Sequence, residues 1–146
     1  MILSIYIDGT PRPQPRPRFV GGRVVSTSGI HATLWKERIV ASLTIARAKE
    51  IRIERAVGLW CTAMFPTPKV ERWGTWHTFR PDRDNCEKLV MDALTAAGTI
   101  KDDCLICDGA FRKVWAQNGG LSIMLMEPGE LPPSDAEDLG AIALDS

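Results

Sequence analysis

Residues 79–113, FRPDRDNCEKLVMDALTAAGTIKDDCLICDGAFRK, set five aspartates in their first 25 positions, Asp82, Asp84, Asp92, Asp102 and Asp103, with Lys88 among them. Pro81 biases Arg80 toward an extended conformation, so Arg80-Pro81-Asp82 reads as a loop arriving at a helix. Asp84 fits an N-cap, and Glu87 three residues later completes a capping-box pattern. Leu89, Val90, Ala93, Leu94 and Ala97 then recur at helical spacing, and Gly98 supplies the C-terminal stop. Beyond Thr99 the pattern reads as a strand entering with Asp102-Asp103. The fold therefore turns on a helix followed by a strand, with acids at the start of each.

That many carboxylates in one place is costly, because like charges brought together raise each other's pKa. A hard divalent cation such as Mg²⁺ removes the conflict by taking oxygen ligands from carboxylates and substrate phosphates. Residues four apart on a helix are neighbours, so Asp84 and Lys88 share a face with Asp92 at its edge. Successive strand side chains alternate, so only one of Asp102 and Asp103 can join the helix-borne acids. The pattern points to a metal-assisted phosphodiesterase site. A competing reading has Asp82 and Asp84 only capping a helix and Asp102-Asp103 only making a turn. A calcium loop of the EF-hand type is excluded: Lys88 falls where a ligand is needed, and no glutamate closes the loop at Ala93.

The pattern Arg80-Pro81-Asp82-x-Asp84-Asn85-x-x-Lys88-x-x-x-Asp92-Ala93-Leu94, followed by Gly98, Lys101-Asp102-Asp103, Ile106 and Lys113, resembles the RusA family of Holliday-junction resolvases, common in prophages. The resemblance covers about a quarter of the chain by motif. It implies Asp82, Asp84 and Asp103 as catalytic, metal-holding acids and Lys88 as catalytic lysine, with Asp92 and Asp102 beside them. It selects Asp103 over Asp102, a choice that strand alternation leaves open. It also implies Mg²⁺, with Mn²⁺ able to substitute, and a homodimer acting on four-way DNA junctions.

The zero net charge conceals an asymmetry. From Glu127 onward there are six acids and no Lys or Arg, leaving 18 basic against 12 acidic side chains in residues 1–126. Ten of the 18 precede Ala56. A basic body suits phosphate backbones, whose contacts dominate nucleic-acid affinity. The acidic segment, residues 128–146, has Pro and Ser without periodicity and reads as a disordered tail on a domain of residues 1–127. Composition is ordinary globular, 45% hydrophobic and 25% charged. No apolar run is long enough to span a bilayer, and the start lacks a secretory signal, so a cytoplasmic location is expected.

Residues 2–7 read as a strand. The following TPRPQPRPRF is a proline-stiffened loop holding Arg12, Arg16 and Arg18 toward a phosphate backbone; the family resemblance supports that placement. Gly21-Gly22 signals a small hairpin between Arg18–Val20 and Arg23–Val25. Residues 31–50 read as a helix with Leu34, Trp35, Ile39, Leu43 and Ala46 as its apolar stripe. Ile53–Phe65 reads as a strand, ended by Pro66 and Pro68. The loop that follows carries Trp73, Trp76, His77 and Phe79, which suit base stacking, a dimer contact or packing back on the core. Arg80 and Lys113 flank the acids as further DNA-binding residues. Cys61, Cys86, Cys104 and Cys107 read as buried reduced thiols, because strand residues three apart face opposite sides and cannot share a zinc ion. Asp108–Ala116 and Leu121–Met126 are the last two strands, and Asn118-Gly119-Gly120 signals a hairpin between them.

The expectation is a compact single α+β domain with a mixed or antiparallel sheet and two main helices. Its function is a metal-dependent, structure-selective endodeoxyribonuclease on branched DNA, making paired symmetric nicks, with no membrane partner and no organic cofactor. A nuclease of another substrate, such as a flap or RNA, would share the acids. A non-catalytic DNA-binding module would not need them.

Overall fold

A computed structural model describes residues 1–25 and 29–133. The chain forms β1 (Leu3–Asp8), β2 (Arg18–Val20), β3 (Arg23–Val25), α1 (Ile30–Ile45), β4 (Val57–Pro66), α2 (Arg83–Ala96), β5 (Ile106–Ala116) and β6 (Gly120–Met126). Short 3-10 turns occupy Ala48–Glu50, Val70–Arg72 and Asp103–Leu105. The main sheet has the order β1-β6-β4-β5, and β2 and β3 form a separate two-stranded sheet. β4 and β5 are parallel, while β6 is antiparallel to both β1 and β4. This is an α+β domain with a mixed sheet and two helices, as the sequence indicates. Among the described residues no helix is long and apolar enough to cross a membrane.

Both helices lie on one face of the sheet. Leu59, Cys61 and Ala63 of β4, Phe111 of β5, and Leu121, Ile123 and Leu125 of β6 form that face. Ala32, Trp35, Ile39 and Leu43 of α1, and Leu89, Val90, Ala93 and Leu94 of α2, pack onto it. The observed stripe of α1 departs from expectation, since Leu34 is 55% exposed. The buried face of α1 is centred on Ala32, Trp35, Ile39 and Leu43, spaced three and four apart, and Leu34 falls outside it. The helix also ends earlier than residue 50, at Ile45, with Ala46 as its cap and Arg47 left-handed at φ 57°.

Four further readings are corrected. β4 begins at Val57 rather than Ile53, which instead makes an isolated parallel bridge to Ile100. Asn118-Gly119-Gly120 does not close a hairpin, because β6 is inserted between β1 and β4 while β5 lies on the far side of β4. The short link instead passes over the end of β4, where the Thr67 amide donates to the Ala116 carbonyl. Asp102-Asp103 precedes β5 in a 3-10 turn instead of entering it as a strand. Cys61 and Cys86 are buried free thiols, whereas Cys104 and Cys107 are exposed.

The acidic segment begins with fixed contacts: the Gly129 amide donates to Asp108 Oδ2 at 2.9 Å, and the Met1 ammonium meets Glu130 Oε1 at 2.5 Å. The disorder expected over residues 128–146 otherwise falls on residues 134–146, which lie outside the described ones.

Candidate active site

Helix α2 presents the acids, and its start is shifted from the sequence reading. Asp82, in extended conformation (φ −67°, ψ 143°), is the N-cap, and Asp84 lies in the first turn. Asp82 makes no side-chain capping bond, so its carboxylate is not committed to the helix end. Exposed N–H groups at a helix N-terminus favour negative charge there. At the other end Gly98 adopts φ +74° and closes the helix, as its position suggests.

The loop before the helix is held from below. Lys113 of β5 donates to the carbonyl oxygens of Phe79 at 2.7 Å and Pro81 at 2.6 Å, across a cis Arg80–Pro81 peptide. Its ammonium thus fixes the approach to Asp82. This contact spans more than thirty residues and leaves no local signal in the sequence. Upstream, Thr75–His77 runs along β5: the His77 amide donates to the Lys113 carbonyl, and the Trp115 amide to that of Thr75. His77 is buried, stacked on Phe65 with ring centroids 4.0 Å apart, and its Nδ1 has no partner among the described residues. Burial, aided by the nearby Lys113 charge, lowers its pKa. Trp76 and Phe79 remain exposed, and the Arg72 guanidinium lies 5.7 Å from the Phe79 ring centroid.

The proline-rich loop closes over the helix start. The Gln14 amide donates to the Asn85 carbonyl at 2.9 Å. Arg16 reaches Asp84 Oδ2 through NH2 at 2.5 Å, and its Nε donates to Asn85 Oδ1. Asn85, part of the acidic motif but without an assigned role from sequence, is therefore the anchor of the arginine loop. Arg12 and Arg80 are exposed nearby in sequence to these contacts.

Lys88 joins the two acidic segments. Its Nζ donates to Asp103 Oδ2 at 3.0 Å and lies 3.0 Å from Asp92 Oδ1 one turn along the helix. The hydrogen bonds to Asp103 and then Asp92 raise its pKa, so it is a cation throughout the neutral range. The neighbouring acid is used differently: Asp102 caps the 3-10 turn, accepting the Cys104 amide at 2.9 Å, and that bond holds its carboxyl below the usual range. Of the pair, Asp103 is the one turned toward Lys88.

Asp82, Asp84 and Asp103 offer the hard oxygen donors that Mg²⁺ prefers. Among the described residues, however, no three His, Cys, Asp or Glu side chains stand together as a ready cage. Asp84 is turned to Arg16 and Asp103 to Lys88. Donor chemistry fits a divalent cation, since Arg16 and Lys88 each engage one oxygen, Oδ2, of Asp84 and Asp103 respectively, and a carboxylate has further lone pairs to offer.

A family model described as endodeoxyribonuclease RusA matches residues 8–126, most of the chain, so the chain belongs to the RusA family. No curated protein matches the chain. Residues 8–126 include every element from the end of β1 to β6, together with the acids, Lys88 and the arginine loop.

Proposed function

We propose, proceeding from membership in this family of Holliday-junction-resolving endodeoxyribonucleases, that the chain cuts branched DNA with a divalent metal and makes paired, symmetric nicks as a homodimer. The observation that carries the reading is the bond from Lys88 to Asp103, fifteen residues further on, which with the Lys88–Asp92 pair joins α2 to the second acidic segment.

In this reading Asp82, Asp84 and Asp103 hold Mg²⁺, for which Mn²⁺ can substitute. A cation held there would supply polarisation of the scissile phosphate and a lowered pKa for an attacking water. Lys88 stands beside Asp103 and meets negative charge that grows on the phosphate or leaving oxygen. Its ammonium is preorganised by two carboxylates, so little reorientation is needed during reaction. Arg12, Arg16, Arg18 and Arg80 bind the phosphate backbone, which positions the duplex without reading its sequence. Lys113 acts from beneath, holding the Phe79–Pro81 carbonyls and hence the reach of Arg80 and Asp82. Asp92 and Asp102 serve as supports, the first orienting Lys88 and the second shaping the turn that presents Asp103. Two nicks related by symmetry call for two identical sites, which a twofold dimer supplies.

Synthetic four-way junction, flap, linear duplex and RNA substrates incubated with Mg²⁺, Mn²⁺ or EDTA test this. The reading expects junction cleavage at paired positions with either metal and none with EDTA. Preferred cutting of flap or RNA, or cutting that persists in EDTA, would overturn it.

A further inference from the structure

Helices, acids and loop account for one side of the molecule and leave the β2–β3 hairpin without a task. Phe19 is 79% exposed, with Val20 at 60% and Val24 at 62%. Phe19 and Val24 face each other across the two strands and share one side of the hairpin. Among the described residues no third strand joins it. A lone two-stranded hairpin is marginal in water, and large apolar side chains at its surface gain only when something covers them.

Two features point to what that is. Residues 9–25 contain four arginines and no acid, so the segment suits a polyanion. The hairpin is also rooted at the acidic site: Arg16, two residues before β2, bonds Asp84 and Asn85 at the start of α2. Two extended residues span only ~7 Å. A three-residue strand then carries the Gly21-Gly22 tip about 10 Å further. A partner that is anionic outside and apolar within, lying against the catalytic helix, has the chemistry of nucleic acid with its bases unstacked. Proteins that distort duplexes insert apolar side chains between base steps in this manner.

We infer that the β2–β3 hairpin is an apolar wedge, with Phe19 inserted among the unstacked base pairs at a DNA branch point. The inference rests on the branched-DNA reading above and adds the element that recognises the branch itself. Arginines on the same segment hold the flanking phosphates, and the fixed distance to α2 sets how far from the branch the strand is cut.

The test uses the full chain in EDTA, where no cleavage intervenes, with a four-way junction carrying 2-aminopurine at the branch and a linear duplex of matched sequence. Wild-type protein is expected to raise the 2-aminopurine fluorescence of the junction. Phe19→Ala is expected to lose that rise and about tenfold in junction affinity, the scale of one base–aromatic contact. Its duplex affinity, melting temperature and solution mass should be unchanged, and Phe19→Leu, still an apolar wedge, should restore most of the signal. An unaltered fluorescence rise in Phe19→Ala, or no rise with wild type, would overturn the wedge. A fall in solution mass for Phe19→Ala would do so as well, by identifying the partner as a second copy of the chain. Cleavage by wild type on adding Mg²⁺ is read separately, so failure of the nuclease reading shows as intact junctions whatever the hairpin does.

Discussion

Replacing Lys88 by alanine separates a structural role from a chemical one. Both of its ion pairs are at the surface: Lys88 keeps 49% of its side chain exposed, Asp92 27% and Asp103 37%. Exposed pairs contribute a fraction of a kcal/mol each, so the two together are worth about 1 kcal/mol. For a chain of this size that is a melting shift of about 4 °C. As a donor aimed at charge that develops during phosphodiester cleavage, the same ammonium is worth ~10²–10³ in rate, or about 3 kcal/mol. The two roles thus predict different outcomes in different assays. Lys88→Ala should melt within a few degrees of wild type, bind junctions with similar affinity and take up metal at least as well, since a cation beside Asp103 has gone. Single-turnover cleavage at saturating enzyme and Mg²⁺, which isolates the chemical step, should slow at least about a hundredfold. A rate within threefold of wild type, ~0.6 kcal/mol, would refute the reasoning and leave Lys88 as a surface ion pair.

Arg16→Ala should tighten Mn²⁺ binding several-fold in the absence of DNA, because Asp84 loses its guanidinium partner, while junction binding weakens; electron paramagnetic resonance titration and anisotropy read the two separately. His77 titrates below its ordinary value in the folded state, so the unfolded chain binds the extra proton first. Its contribution is therefore intact above about pH 6.5 and lost as pH falls toward the lowered folded value; His77→Phe should flatten the decline in melting temperature between about pH 7.5 and 5.5. Gly109→Ala should cost about 3 kcal/mol or more in a urea titration, from overpacking added to backbone strain. A Cβ there would stand 1.8 Å from the Leu59 carbonyl oxygen at a φ of +132°.

The sequence is most informative where chemistry and local geometry coincide. Asp84, Lys88 and Asp92 belong to a single helix that Gly98 closes; its spacing marks where it ends and sets Lys88 on a face with Asp84, and Asp92 at its edge. The ammonium meets Asp92, while Asp84 is taken by Arg16. Errors arise where a contact comes from elsewhere in the chain. Asp84 looks like the cap, yet Asp82 takes that position because the segment before it is already pinned by Lys113 from β5. Asn118-Gly119-Gly120 correctly marks a reversal, but a reversal does not say which strand lies beside which. The choice was made by β4, whose two sides take β5 and β6. Asp102-Asp103 has a strand's neighbours downstream, and the Asp102 side chain nonetheless stops extension by bonding the Cys104 amide. That same bond turns Asp103 toward Lys88, a distinction that simple alternation could express only as one acid in and one out. The pairing of Arg16 with Asn85 is likewise invisible locally, since 69 residues separate the two.

The most direct test of the account is the rate of junction cleavage by Asp103→Asn in Mg²⁺, measured beside wild type under single-turnover conditions and paired with junction affinity in EDTA. Asparagine preserves the size of the side chain while removing the charge that, in the proposed function, would hold a cation. The account predicts that wild type cuts the junction at paired sites only when metal is present. The variant should bind the junction as well or better, having lost a negative charge facing phosphate, and cut at least about a hundredfold more slowly. Asp103→Asn cutting at a near-wild-type rate would contradict it.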